Sequence, residues 1–166
     1  MTKREFFGMA SIGAVAIVLV GNRVLRGGTN SAADVALQIH HTDAEWHARL
    51  GPASYKVLRQ GDTEHPFSSP LIGEHRTGTF ACAGCDQSLF SSITKYDSHT
   101  GWPSFWDTLP KAIAKRPDFT IARPRTEVLC SACGGHLGHV FDDGPNPTGL
   151  RYCMNGLALA FHPAAT

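Results

Sequence analysis

Hydrophobic residues recur with a helical period between residues 42 and 61, where two short helices are predicted. Thr42 and Glu45 have the spacing of a capping box, so the first helix begins there. Pro52 suits the first turn of the second helix, and Gly61 ends it. The apolar residues on the inner faces are Trp46 and Leu50 in the first helix and Tyr55 and Leu58 in the second.

From Thr77 onward the helical period gives way to short apolar runs separated by Gly, Pro, Asp and Ser, a pattern typical of strands. A turn rich in Pro and Gly at residues 143–147 separates two of the runs. The predicted strands are Gly78–Cys82, Glu127–Leu129, Leu137–Phe141, Leu150–Met154 and Leu157–Phe161. We therefore expect a mainly β fold of antiparallel strands behind a short helical N-terminal arm.

The first 33 residues have the pattern of an export signal. An uncharged run of 16 residues, Phe6–Gly21, follows Lys3-Arg4 and precedes further basic residues. This run is shorter than the roughly 20 residues that span a bilayer comfortably, so cleavage is favoured over a permanent anchor. Lys3-Arg4 before Phe6-Phe7 resembles a twin-arginine motif whose first arginine is replaced by lysine, which predicts export to the periplasm.

The predicted organisation is an export signal over residues 1–33, a linker over residues 34–41 and one folded domain over residues 42–163. Small residues at positions 31–33 offer a cleavage point. Without cleavage, the protein would be anchored in the membrane and would face the periplasm, and only this segment would contact the membrane. We expect a monomer.

The composition of the whole chain is typical of a globular protein with a hydrophobic core. Of the 166 residues, 42% are hydrophobic and 17% are charged. Loss of residues 1–33 would remove four of the 15 basic residues and one of the 14 acidic residues, which leaves a net charge of −2. No basic run remains in that part of the sequence, so binding to nucleic acid has no electrostatic support.

The five cysteines divide into two Cys-x-x-Cys pairs, Cys82 with Cys85 and Cys130 with Cys133, and one separate residue, Cys153. Two thiolates separated by two residues can reach one ion, so the four paired sulfurs predict a single structural Zn²⁺ site. Because 44 residues separate the two pairs, the metal would join distant parts of the fold. Two disulfides within the pairs, ordinary buried thiols and a redox Cys-x-x-Cys are the alternatives.

Cys153 is the candidate nucleophile. It lies on a predicted strand where Arg151 and Asn155 share its face, and a cation beside a thiol favours the thiolate. A cysteine on a strand is nevertheless more often buried and inert. His136 and His139 precede this strand, and they fit a general acid or base, additional metal ligands or structural histidines equally well.

Four segments together resemble the B-type methionine sulfoxide reductases, which are specific for the R epimer of the sulfoxide. The likeness runs from about Glu45 to Phe161 and includes the two cysteine pairs in order. The segments are Gly101-Trp102-Pro103-Ser104-Phe105, Arg125-Thr126-Glu127-Val128, His136-Leu137-Gly138-His139-Val140-Phe141-Asp142-Asp143-Gly144-Pro145 and Gly149-Leu150-Arg151-Tyr152-Cys153-Met154-Asn155.

The resemblance implies two packed antiparallel sheets, with Zn²⁺ held by the four paired cysteines away from the reaction. The catalytic residues that it implies are Cys153 as the nucleophile, His139 and His136 as active-site histidines, and Asn155 as the amide beside the nucleophile. The residues that it implies for the substrate pocket are Trp102, Phe141, Asp143 and Arg151, with Trp102 against the substrate methyl group. The implied substrate is methionine-R-sulfoxide in oxidised proteins or peptides.

The chain departs from the commonest family pattern at Thr100, where many members carry a resolving cysteine. The resemblance then implies that Cys153 becomes a sulfenic acid, which a thioredoxin-like protein outside the cytoplasm or a small thiol reduces directly. Asn155-Gly156 also differs from the Asn-Ser that is usual in the family.

Two other classes of function fit parts of the sequence. A zinc-stabilised β module that binds a partner without catalysis would need the paired cysteines but neither Cys153 nor His139. A thiol–disulfide oxidoreductase would use labile Cys-x-x-Cys pairs and would hold no metal. Metal content distinguishes the oxidoreductase from the other two classes, and substitution of Cys153 distinguishes the reductase from the binding module.

Overall fold

The computed structural model describes residues 37–165. The predicted export signal and residues 34–36 of the predicted linker lie outside this range, and both stay predictions. Among residues 37–165, no helix combines the length and the apolar character needed to cross a membrane. Gln38 and Ile39 donate their backbone N–H groups to the carbonyl oxygen of Ala132, so the end of the predicted linker contacts the domain.

Both predicted helices are present. α1 spans Asp43–Arg49 and begins at the capping box, where the backbone N–H of Thr42 donates to the carboxylate of Glu45 at 2.7 Å. α2 spans Pro52–Gln60 and ends at Gly61, whose φ of 71° is a left-handed conformation that suits glycine. The four predicted inner residues, Trp46, Leu50, Tyr55 and Leu58, are all buried.

Nine strands form two antiparallel sheets within the described residues, which confirms the predicted fold class. The smaller sheet has the order β2-β1-β9 and consists of β1 (Gly78–Cys82), β2 (Ser88–Ser91) and β9 (Leu159–Pro163). The larger sheet has the order β3-β4-β8-β7-β6-β5. Its strands are β3 (Lys95–Tyr96), β4 (Ser104–Phe105), β5 (Ile113–Asp118), β6 (Arg125–Cys130), β7 (His136–Phe141) and β8 (Arg151–Met154).

Aromatic side chains join the two sheets. Phe90 of β2 stacks on Phe105 of β4 with ring centroids 4.3 Å apart, and Phe80 of β1 meets Phe105 edge-on at 5.0 Å. Burial of a ring of this size stabilises the fold by roughly 2–3 kcal/mol relative to exposure. Tyr152 of β8 also faces this core, 6.0 Å from Phe90. Because successive residues of a strand face opposite sides, Cys153 faces away from the core.

Four strands in the structure, β2 to β5, were not predicted from the apolar runs. β5 is the clearest case, because Lys115, Arg116 and Pro117 give its sequence the character of a charged turn. It lies at the edge of the larger sheet, where charge and proline are tolerated and discourage pairing with another chain. The predicted strand Leu157–Phe161 is displaced, since Gly156–Ala158 form a 3₁₀ turn before β9.

Candidate active site and metal centre

Two hairpin turns of closely similar shape carry the paired cysteines. In the β1–β2 turn, the N–H of Asp86 donates to the carbonyl oxygen of Cys82 at 2.8 Å. In the β6–β7 turn, the N–H of Gly134 donates to the carbonyl oxygen of Cys130 at 2.9 Å. Asp86 and Gly134 have φ values of 62° and 69°, and this left-handed residue reverses each chain directly after its second cysteine.

The two turns, one from each sheet, bring the four sulfur atoms within 4.8 Å of one another. The Sγ–Sγ distance is 3.8 Å between Cys82 and Cys133 and 3.5 Å between Cys85 and Cys130. Thiolates bound tetrahedrally at about 2.3 Å from one ion lie about 3.8 Å apart, so the spacing suits a single metal ion. All five cysteines are free, so disulfides within the pairs are not supported.

The second helix covers the cluster of four cysteines. Nη1 of Arg59 donates to the carbonyl oxygen of Cys133 at 3.1 Å, and the guanidinium lies 4.7 Å from the ring centroid of Trp46. Leu58 approaches Gly135 so closely that a Cβ there would lie 2.9 Å from its Cδ2. This cover limits the access of water to the sulfur atoms, three of which belong to buried residues.

Cys153 lies in a row of polar side chains that crosses the larger sheet. Directly opposite residues of antiparallel strands share a face. Cys153 is opposite Ser104 of β4 and His139 of β7. His139 is in turn opposite Glu127 of β6, and Arg116 of β5 ends the row. The register of the sheet, rather than nearness in the sequence, therefore places a thiol beside an imidazole.

A cavity of about 110 Å³ opens beside the nucleophile candidate. Five of the eight residues predicted for catalysis and substrate binding line it, namely Cys153, His139, Asn155, Trp102 and Phe141. Thr63, Arg125 and Gly138 line it as well, and none of these three was predicted from the sequence. The cavity therefore combines a thiol, an imidazole and an amide with two aromatic rings.

The other three predicted residues lie outside the cavity lining. Arg151 donates two hydrogen bonds of 2.8 Å to Asp143, and its guanidinium carbon lies 4.4 Å from the ring centroid of Phe141. This ion pair can act on the cavity by supporting Phe141 and through its charge. His136 is buried next to His139, with ring centroids 5.5 Å apart.

Two buried carboxylates that the sequence analysis did not assign to the site hold the histidines. Oδ2 of Asp118 lies 2.7 Å from Nε2 of His139, and Oε1 of Glu127 lies 2.7 Å from Nδ1 of His136. An ionised carboxylate only accepts hydrogen bonds, so each of these ring nitrogens donates. Nδ1 of a neutral His139 is then an acceptor, whereas Nε2 of His136 is buried and has no partner among residues 37–165.

Burial lowers the pKa of His139, and the hydrogen bond to Asp118 opposes this only in part. Hydrogen bonds from Thr120, and then the one from His139, hold the pKa of Asp118 well below its usual range. Arg125 also pairs with Asp118, at 2.7 Å. At neutral pH this pair is therefore an ionised carboxylate and a neutral imidazole, which can accept a proton.

Burial raises the pKa of Cys153. The Thr100 hydroxyl and the Arg151 charge both lower this pKa, but the effect of burial is larger. The expectation that the cation on this strand would favour the thiolate is therefore not met in the free site, where the thiol holds its proton at neutral pH. Oγ1 of Thr100 lies 3.8 Å from Sγ of Cys153. Ser98 links this hydroxyl to Ser104 through contacts of 2.8 and 2.7 Å.

Glu64, which no sequence pattern pointed to, ties the aromatic side of the cavity to the end of the nucleophile strand. Its carboxylate accepts hydrogen bonds from the backbone N–H groups of Gly156 and Leu157. Its carbonyl oxygen accepts from the indole N–H of Trp102 at 3.2 Å, and its N–H donates to Oδ1 of Asn155 at 3.1 Å. One buried residue thus positions two members of the cavity.

The packing around Gly156 gives a reason for the glycine that follows Asn155. A Cβ at this position would clash with Oγ of Ser69, which is itself buried. The side-chain space that a serine would need is already filled by Ser69. The departure from the Asn-Ser sequence therefore has a local steric basis.

Comparison with known proteins agrees with this geometry. Residues 50–163 match the SelR domain family. A peptide methionine sulfoxide reductase MsrB from Thiobacillus denitrificans is 52% identical over 123 residues, which cover 74% of this chain and 93% of that protein. Proteins of the same name from Agrobacterium fabrum and Leifsonia xyli are 46% and 50% identical, over 76% of this chain and 94% and 92% of their own lengths.

Loss of one paired cysteine is expected to abolish metal binding and to destabilise the domain. Cys130→Ser should lose the bound metal ion and lower the melting temperature by roughly 10 °C or more, because a structural site contributes several kcal/mol. Cys153→Ser should keep one ion per chain and an unchanged melting temperature. Elemental analysis and thermal unfolding measure both, and full metal content in Cys130→Ser would contradict the assignment.

The raised pKa of Cys153 predicts slow alkylation of this thiol near neutral pH. The rate with iodoacetamide, followed by mass spectrometry of the Cys153 peptide, should rise with pH to a midpoint above the ordinary thiol value of 9.0. Arg151→Gln removes a charge that favours the thiolate, so it should slow alkylation at pH 8 several-fold. Asp143→Asn keeps the positive charge of Arg151 and serves as the control. Equal alkylation rates in Arg151→Gln and wild type would contradict an effect of this charge on the thiol.

Proposed function

The chain belongs to the MsrB family of peptide methionine sulfoxide reductases, and from this premise we propose that it reduces the R epimer of methionine sulfoxide through Cys153. The observation that carries the proposal is the register that places Cys153 opposite His139, both in one cavity with Trp102. The substrate is methionine-R-sulfoxide in oxidised proteins or peptides, and the product is methionine. A binding module without catalysis would have no use for this cross-strand pair.

Cys153 and His139 together supply the one proton that the reaction needs. In the free site the proton stays on sulfur, because burial raises the pKa of the thiol and lowers that of the imidazole. When a sulfoxide enters the cavity, Nδ1 of His139 takes this proton and delivers it to the sulfoxide oxygen as the thiolate attacks sulfur. Asp118 holds the imidazole in the required orientation and stabilises its transient positive charge.

The reaction transfers one oxygen atom between two sulfur atoms. The S–O bond of the sulfoxide breaks, its sulfur gains two electrons, and the methionine thioether leaves. The sulfur of Cys153 loses two electrons and becomes a sulfenic acid, whose oxygen comes from the substrate and whose proton comes from the thiol. The step therefore balances without another reactant.

Selection of one epimer follows from the two sides of the cavity. Trp102 and Phe141 provide an apolar side for the substrate methyl group, whereas His139 and Asn155 provide a polar side for the oxygen. The rest of the substrate is directed toward the cavity opening. Only one configuration at sulfur then places the methyl group on the apolar side and the oxygen on the polar side. The hydrogen bond from Trp102 to Glu64 fixes the ring that makes this distinction.

An external reductant completes the cycle. Thr100 is 3.8 Å from Cys153 but cannot form a disulfide, and the four paired cysteines are committed to the metal. A thioredoxin-like protein or a small thiol attacks the sulfenic sulfur and releases water, and a second thiol then releases Cys153 and leaves a disulfide on the reductant.

The metal in this proposal is Zn²⁺, held by Cys82, Cys85, Cys130 and Cys133. A closed set of four thiolates on tight turns is the donor set that structural zinc prefers. The ion joins the two sheets and supplies no chemistry to the substrate.

Separated epimers of a methionine sulfoxide substrate test the proposal directly. With dithiothreitol as reductant, the wild type should reduce the R epimer and leave the S epimer unchanged. Cys153→Ser should lose at least about a thousandfold in rate, as expected when a covalent nucleophile is removed. Retained metal content and melting temperature in Cys153→Ser would show that the loss is chemical.

Two outcomes would overturn the proposal. Equal turnover of both epimers would reject the selectivity of the cavity. Activity of Cys153→Ser near the wild-type level would reject Cys153 as the nucleophile.

A further inference from the structure

A groove continues the active-site cavity toward the end of α2 and the turn between β5 and β6. It has a volume of about 320 Å³ and shares Thr63, Arg125 and His139 with the cavity. The cavity itself, at about 110 Å³, has room for one reacting side chain. The groove is therefore within reach of a residue that flanks an oxidised methionine in the cavity.

The groove presents hydrogen-bonding groups without a net charge. Its ionised side chains are already paired, Arg116 with Glu127 and Arg125 with Asp118. Its exposed uncharged polar residues are Gln60, Thr63 and Thr120. Such a lining suits the main chain of a polypeptide of varied sequence, whereas a strongly acidic or basic partner would find no complementary charge.

Phe119 provides an apolar contact at the edge of the groove. Its side chain is 73% exposed, and the turn that carries it is bonded to Asp118. The backbone N–H and the hydroxyl of Thr120 both donate to Oδ1 of Asp118, at 2.9 and 2.7 Å. The same aspartate binds His139, so these hydrogen bonds keep the turn that carries Phe119 next to the catalytic imidazole.

Ile121, two residues further along, offers a matched comparison. It is 50% exposed and belongs to the same turn, but it lines a different hollow, which contains Lys115 and Val140 and meets the cavity at Arg125 and Phe141. Phe119 borders that hollow as well as the groove. If only the groove matters for binding, substitution of Phe119 should therefore have an effect and substitution of Ile121 should not.

We infer that this groove binds the polypeptide on one side of the oxidised methionine, with Phe119 as its apolar anchor. The inference rests on the proposed function and adds the surface through which the enzyme distinguishes a peptide from an isolated methionine sulfoxide. The flanking main chain bonds to the polar lining, and one flanking side chain packs on the aromatic ring. Selectivity for a particular flanking sequence is accordingly weak.

The test compares two substrates with dithiothreitol as reductant, so that no protein reductant can compete for the surface. The substrates are N-acetyl-methionine-R-sulfoxide methylamide and a peptide with a central methionine-R-sulfoxide flanked by apolar residues. Phe119→Ser should lower kcat/KM for the peptide about tenfold, mainly through KM, and leave the small substrate unchanged. Ile121→Ser should change neither value.

The other outcomes fall into three groups. If the wild type reduces the small substrate but gains nothing from the peptide, or if Phe119→Ser and Ile121→Ser act alike, the groove is not the peptide site and the proposed function stands. If the wild type reduces the R epimer in neither substrate, the proposed function fails and the inference fails with it. A loss on both substrates in Phe119→Ser would assign the residue to the cavity and would also overturn the inference.

Discussion

Four sulfur atoms within 4.8 Å of one another hold the β1–β2 turn of one sheet against the β6–β7 turn of the other. Four thiolates this close would repel one another, and a cation shared among them would offset that repulsion. Such a cation would connect segments that lie 44 residues apart in the sequence. Because β7 starts directly after the second turn, the contact between the two turns sets where His136 and His139 lie relative to the smaller sheet.

The reacting groups then depend on β7 and its neighbours. The pairing of β7 with β8 sets His139 opposite Cys153, and β5 supplies the carboxylate of Asp118 that orients the imidazole. Glu64 closes the other side of the cavity by binding Trp102 and the turn after Asn155. The cavity is thus held by hydrogen bonds from four separate parts of the chain, and the proposed selection between two configurations at sulfur depends on such a frame.

The sequence predicted most of the features that depend on local pattern. The capping box, the paired cysteines and the strand with Cys153 follow from spacing, and the family resemblance added His139 and Trp102. Asp118 and Glu64 were out of reach, because their roles depend on contacts across the fold and no periodicity marks them. β5 was missed for a related reason, since an edge strand tolerates the charge and proline that disguise it. The protonated state of Cys153 was also unpredictable, because burial exceeds the effect of a neighbouring charge that the sequence does show.

In the proposed mechanism four cysteines hold the metal and one reacts. The most direct measurement is a single turnover without reductant, in which methionine is quantified and the oxidation state of each cysteine is read by mass spectrometry with dimedone as the trap. We expect one methionine per chain and one dimedone adduct, on Cys153, whereas Thr100→Cys should instead give a disulfide between the introduced thiol and Cys153. A disulfide between Cys153 and any of the four paired cysteines in the wild type, or release of the metal during the turnover, would contradict this mechanism.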